Sequence, residues 1–243
     1  MNFLYTIVKT IGKGVLFSFV WADWRKYKRL DATPRFPIKI GDVYPCVTDK
    51  TPDTKFDRHY IYHTAWAARK LAQIKPSVHT DIASSLYFVG IASAFVPIQF
   101  YDFRPPELTL SNVQVGQADL LHLPFADGEL KSLSCLHVIE HIGLGRYGDS
   151  VDPEGDRKAA RELARVLAPG GSLLIVTPVG SPKLRFNAHR VYSKQMVLDL
   201  FPGLTLHECT LIPDASGAPV ENATDSDIAA ESFGCGCFWF IKE

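Results

Sequence analysis

Residues 77–102 read SVHTDIASSLYFVGIASAFVPIQFYD, and this stretch decides the fold. A short run closes on Asp81 and passes into a small-residue turn, Ala83-Ser84-Ser85. A mostly apolar segment follows, then a second apolar run over 96–101 that ends in Asp102. The pattern reads as strand, tight loop, helix, strand, the first half-unit of a nucleotide-binding α/β sheet. An acidic residue about twenty positions beyond the loop is where such folds place a carboxylate for ribose hydroxyls. A carboxylate suits that task because it is acceptor-only and takes both hydroxyl protons at once. The glycines of the usual fingerprint are missing, so the reading depends on what lies downstream.

Downstream the alternation continues. Residues 112–118 predict a strand leading to Asp119, and 132–136 another that runs into His137-Val138-Ile139-Glu140-His141. A loop with four glycines spans 142–155. Ala159, Ala160, Leu163, Ala164 and Leu167 then mark an amphipathic helix closed by Pro169-Gly170-Gly171. Residues 173–177 form an uninterrupted apolar strand, as expected where both faces are covered. Two final strands over 204–212 and 235–241 are separated only by a loop, which suits an antiparallel pair. Upstream, Ile61, Ala65, Ala68 and Leu71 predict a helix over 58–74 stopped by Pro76. His59, Tyr60 and His63 stand at its start, either as a half-buried aromatic cluster or as a cap over a cofactor cleft.

The N-terminal 57 residues stand apart as a second segment. Phe3, Leu4, Ile7, Val8, Ile11 and Val15 make an apolar stripe at helical spacing, with Asn2, Thr6, Lys9 and Lys13 opposite. Lys9 and Lys13 break the apolar run and no small-residue cleavage site is evident, which argues against a spanning helix or a signal peptide. Residues 1–30 are expected to dock on the domain or on a second subunit of a homodimer. A second reading lays them on a membrane surface, anchored by Trp21, Trp24 and the basic cluster that follows. Pro34, Pro37, Pro45 and Pro52 mark 31–57 as a connecting segment with one short strand over 38–43.

Composition narrows the function classes. Lys plus Arg is 26 and Asp plus Glu is 26, so no global field draws nucleic acid, and no basic aromatic stripe is present. Five cysteines, an odd number without paired spacing, argue against a secreted disulfide framework and suit a reducing, cytoplasmic setting. Cys235-Gly-Cys237 puts two thiols on one strand face. With no Cys or His pair near them in sequence, they read as packing rather than metal ligands.

Two stretches, ADLLHLPFADGELKSLSCLHVIEHI (118–142) and RKAARELARVLAPGGSLLIVTPV (157–179), resemble the class I S-adenosylmethionine-dependent methyltransferases. The likeness extends over residues 77–241, about two-thirds of the chain. DIASSLYFVG (81–90), EHIGLGRYGD (140–149) and FNAHRVYS (186–193) are similar, more narrowly, to a bacterial family of unknown function whose glycine loop is degenerate. The resemblance implies a Rossmann-like α/β domain over 58–243, with a mostly parallel seven-stranded sheet, an antiparallel last strand and a helical N-terminal extension. It implies S-adenosylmethionine as cofactor and a small-molecule or glycan acceptor.

Position by position, the resemblance places Asp81, Ala83, Ser84 and Ser85 toward the methionine end of the cofactor. Asp102 falls at the ribose, Asp119 and Leu120 at the adenine, and His137 near the sulfonium, with Tyr60 and Phe103 as further cofactor-binding candidates. His137, Glu140 and His141 are the candidate catalytic groups, on one face of a helix starting at His137. A related group of methyltransferases holds a magnesium-like ion on a similar motif, for which His137, Glu140, His141 and His189 would be the counterpart. No metal is expected there. The departure is the first loop, where Ala83, Ser85 and Tyr87 replace three glycines. That change leaves open a second class of function, a binding or scaffold protein on a methyltransferase fold.

Overall fold

The computed structural model of the protein describes residues 18–243. The chain divides into two compact units, the second of them Asp57–Glu243. In the first, residues 18–30 form helix α1, in which Trp21 and Trp24 pack edge to face at 5.0 Å and Lys28 Nζ lies 5.0 Å over the Trp24 ring. The apolar stripe from Phe3 to Val15 lies outside the described residues. Instead of the expected strand over 38–43 there is a single 3₁₀ turn, Ile40–Asp42, whose Asp42 carboxylate accepts from Lys39 N at 3.1 Å. Among the described residues no helix is long and apolar enough to cross a membrane.

The second unit opens with α2 (Arg58–Ile74), capped by Asp57, whose side chain accepts from Tyr60 N. It continues through β1 (His79–Ile82), α3 (Leu86–Ala92), β2 (Ile98–Asp102), β3 (Val113–Gln117) and β4 (Leu130–Leu136). After a 3₁₀ turn, Ile139–His141, come α4 (Gly155–Val166), β5 (Leu167–Val179), and the small hairpin β6 (Lys183–Arg185) and β7 (His189–Val191). The chain ends with α5 (Lys194–Leu200), β8 (Leu204–Ile212), β9 (Val220–Glu221), α6 (Asp225–Ala229) and β10 (Gly234–Lys242).

The main sheet has the order β3-β2-β1-β4-β5-β10-β8-β9. β3, β2, β1, β4 and β5 are parallel neighbours. β10 inserts antiparallel between β5 and β8, so the last long strand is antiparallel, as expected. The eighth strand, β9, is a two-residue addition at the edge. Each face carries its own core. On one, α4 presses Ala159, Ala160 and Leu163 against Leu173, Ile175 and Phe238. On the other, Trp66, Ala67 and Leu71 of α2 and Phe88 and Val89 of α3 cover Leu174, Val176 and Cys237. Burying one such aliphatic side chain contributes about 1.5–3 kcal/mol, which is why β5 is apolar on both sides.

The helix expected from His137 does not form. His137 itself takes a left-handed backbone (φ 57°), which no helix tolerates, and only the 3₁₀ turn follows. The loop between that turn and α4 folds on itself: Asp149 Oδ2 accepts from Gly143 N at 2.7 Å and Gly145 N at 3.3 Å, and Asp152 N donates to Gly143 O. A Cβ on Gly143 would sit 2.0 Å from Asp152 O, so only glycine permits this crossing.

Candidate functional site

The carboxyl ends of β1, β2 and β4 converge on a cavity of about 540 Å³. This is where an open parallel sheet binds ligands, because the strand order reverses there and the crossovers diverge. Ala83, Ser84, Ser85, Asp102, Phe103, Asp119, Leu120, His137 and Tyr60 all line it, together with His141. Asp81 does not reach the wall. Its carboxylate is fully buried, accepting from Ser84 N at 3.0 Å and from the Ser134 hydroxyl, so it holds the loop from beneath.

The loop achieves the glycine conformation without glycine. Ala83 adopts φ 57°, in the region alanine enters at a cost of about 1–2 kcal/mol. Ser84 Oγ accepts from Leu136 N at 2.9 Å and so ties the loop to β4. Ser85 caps α3 by accepting from Tyr87 N. Tyr87, which stands where a third glycine was expected, is 82% exposed and turns away from the cavity wall.

Two carboxylates stand on the rim. Asp102 Oδ1 accepts from Arg104 N at 2.8 Å, while its second oxygen has no partner among the described residues. Asp119 Oδ1 accepts from Leu121 N at 2.9 Å, and its Oδ2 lies 3.4 Å from His122 Nδ1. The turn after Asp119 is pinned by Leu123 N, which donates to Glu162 Oε2 at 3.0 Å, and Glu162 is held in turn by Arg165.

His137 is the most constrained side chain. Its Nδ1 lies 2.9 Å from Glu140 Oε1 and its Nε2 3.4 Å from Cys235 Sγ. The rings of His59, Tyr60 and His63 surround it at 5.9, 5.8 and 4.9 Å. Burial pushes its pKa down, but the Cys235 thiolate and the Glu140 carboxylate outweigh burial and carry it up to about 10. Burial likewise pushes Cys235 up, and the Cys237 thiol and His137 overcome this and bring it down to about 5. His63 is the opposite: burial pushes it down to about 3, so it is neutral, with its Nδ1 at 2.7 Å from His59 O.

Glu140 is 1% exposed and does not line the cavity; it sits behind two histidines. His141 Nδ1 lies 2.6 Å from Ala188 O and 3.3 Å from Arg146 Nη1, and its Nε2 lies 3.7 Å from Glu140 Oε1. His189 is near His141 (ring centroids 6.5 Å), yet it does not join a close ligand group with His137 and Glu140. The sequence reading missed His59 and Cys235 as neighbours of His137. No local spacing could have shown it, because α2 and β10 meet His137 only through the sheet order.

A family model described as a Caenorhabditis protein of unknown function, DUF268, matches residues 127–209. The chain is 34% identical over 113 residues to demethylmenaquinone methyltransferase of Thermus thermophilus, covering 42% of this chain and 46% of that protein. It thus spans less than half the length of the relative it matches. Among solved structures, it is similar to the N-methyltransferase NodS of Bradyrhizobium japonicum in complex with S-adenosylhomocysteine (TM-score 0.52, 17% identity, covering 81% of this chain and 90% of that one). It is also similar to YcgJ from Bacillus subtilis (TM-score 0.52, 18% identity, 75% and 99%). The fold is that of the class I methyltransferases.

Proposed function

We propose that the protein transfers a methyl group from S-adenosylmethionine to a small-molecule or glycan acceptor. The observation that carries the reading is the cavity itself: the loop keeps a left-handed backbone at Ala83, and Asp102 presents a free carboxylate oxygen at the end of β2. Likeness to methyltransferases, one named for demethylmenaquinone and one bound to S-adenosylhomocysteine, supports it.

The residues fit the cofactor. Asp102 accepts the ribose hydroxyls, Asp119 and Leu120 flank the adenine, and the backbone at Ala83-Ser84-Ser85 approaches the amino-acid end. Phe103 and Tyr60 supply apolar walls, and water excluded by them strengthens each polar contact. When bound, the cofactor supplies an electrophilic methyl on a sulfonium. His141 Nε2 takes the proton of the attacking acceptor, and the Glu140 carboxylate 3.7 Å away stabilises the imidazolium that forms. His137 and Glu140 hold the end of β4 in position for this. The acceptor enters past Tyr147, whose ring lies 5.7 Å from that of His141.

The test pairs a ligand-induced thermal shift with S-adenosylhomocysteine and a labelled methyl-transfer assay over a panel of small molecules and sugars. His141→Ala should slow transfer by roughly 10²–10⁴-fold while leaving the thermal shift intact. No thermal shift at millimolar S-adenosylhomocysteine would reject the enzyme reading in favour of a scaffold.

A further inference from the structure

The methyl-transfer reading gives no role to His59 or Cys235, both of which meet His137. His59, on the first turn of α2, stacks parallel to His137, and Cys235 at the start of β10 faces His137 Nε2 at 3.4 Å. One ring nitrogen from each histidine and the Cys235 sulfur all lie within 4.8 Å of one another. The hydrogen bond between Cys235 Sγ and His137 Nε2 accounts for that contact. It does not account for His59, whose Nε2 is buried with no hydrogen-bond partner, in a residue only 8% exposed. Buried polar atoms are almost always satisfied, so an unpartnered imidazole nitrogen in this group calls for a ligand.

The surroundings have the form of a metal centre. The other nitrogen of His137 meets the buried Glu140 carboxylate at 2.9 Å, the partner that orients a metal-bound imidazole and fixes which nitrogen is free to bind. Zinc bonds of 2.3 Å to sulfur and about 2.0–2.1 Å to nitrogen put two tetrahedral ligand atoms about 3.5 Å apart, close to the 3.4 Å between Cys235 Sγ and His137 Nε2. Asp214 Oδ1 lies 3.7 Å from His59 Nε2 on the exposed side.

We propose that His59, His137 and Cys235 bind a divalent transition-metal ion, with Glu140 orienting His137. Two imidazoles and one cysteine sulfur favour zinc over magnesium or calcium. Its mechanical effect is to fasten the start of α2, and with it Tyr60, to the ends of β4 and β10. This set differs from the expected counterpart of the magnesium motif, and it moves Cys235 from packing residue to ligand.

The full-length protein, made without a histidine tag and stripped with chelator, is titrated with cobalt(II) and then with zinc. The expected result is one cobalt per chain, visible bands of tetrahedral intensity, a near-ultraviolet thiolate-to-cobalt band, and displacement by zinc. Cys235→Ser should abolish the thiolate band and His59→Ala should weaken zinc binding about tenfold or more, whereas Cys209→Ser should change neither. Wild-type protein that takes up no stoichiometric cobalt, or binds it without the thiolate band, overturns the proposal whatever the variants do. So does a band that survives Cys235→Ser, or one lost on His141→Ala. S-adenosylhomocysteine titrated into the same stripped sample reports on the cavity separately, so failure of one reading is not failure of the other.

Discussion

Ala83 shows how a degenerate motif keeps its geometry. Alanine is the smallest residue with a Cβ, and the loop places it at φ 57° because Ser84 N and Ser84 Oγ anchor the next residue to Asp81 and to Leu136 N. A β-branched side chain cannot follow. Ala83→Val should cost about 1–3 kcal/mol, and lower the melting temperature by several degrees in a scanning calorimeter, whereas Ala83→Gly should stay near wild type. Beneath the loop, two buried groups of opposite character face Ser134. Burial pushes the His79 pKa from 6.5 down to about 3, so its share of stability is complete above pH 6.5 and is lost as the pH falls toward 3. Burial raises Asp81 from 3.8 to about 6 against hydrogen bonds from Ser134 and Ser84. Its contribution is therefore present at low pH and lost as the pH rises through 6. Between pH 6 and 4 the two slopes oppose, and Asp81→Asn removes the compensating one. Melting curves across that window should fall more steeply in the variant, by about 1.4 kcal/mol per pH unit; parallel curves would show that Asp81 is ionised in the fold.

At the scale of elements, the sequence was legible wherever one segment sufficed. The period of Ile61, Ala65, Ala68 and Leu71 and the stop at Pro76 located α2, and the apolar run before Pro178 located β5 because both faces of that strand are covered. Asp102 and Asp119 were readable as rim carboxylates because each closes or follows a parallel strand. What failed depended on distant partners. The turn at His137 looked helical from its spacing, but His137 N donates to Val176 O, extending the β4–β5 register one residue and forcing the left-handed backbone. Asp81 looked like a ligand contact because no spacing reveals that Ser134, on the neighbouring strand, takes its carboxylate. The segment 142–155 read only as a glycine-containing loop, and in the structure Asp149 gathers the amides of Gly143 and Tyr147 into a turn. Asp149→Ala should open that turn, shown by faster amide exchange of Gly143 and Gly145 than in wild type.

At the scale of the molecule, every described residue lining the cavity belongs to the unit Asp57–Glu243, so a chain beginning at Asp57 should bind S-adenosylhomocysteine as the full chain does. The order with β10 between β5 and β8 brings Cys235 to His137 and α2 over the same sheet end, and it sets the cavity at the carboxyl ends of β1, β2 and β4. The account rests on that cavity still accepting the cofactor although the loop has no glycine. Calorimetric titration of S-adenosylhomocysteine into wild type and Asp102→Ala tests this most directly. Hydrogen bonds to a charged acceptor contribute roughly 1.5–3 kcal/mol, so the variant should bind about tenfold to a hundredfold more weakly with its melting temperature nearly unchanged. Equal affinity in the two proteins, or a melting temperature that drops while binding is untouched, would contradict the account.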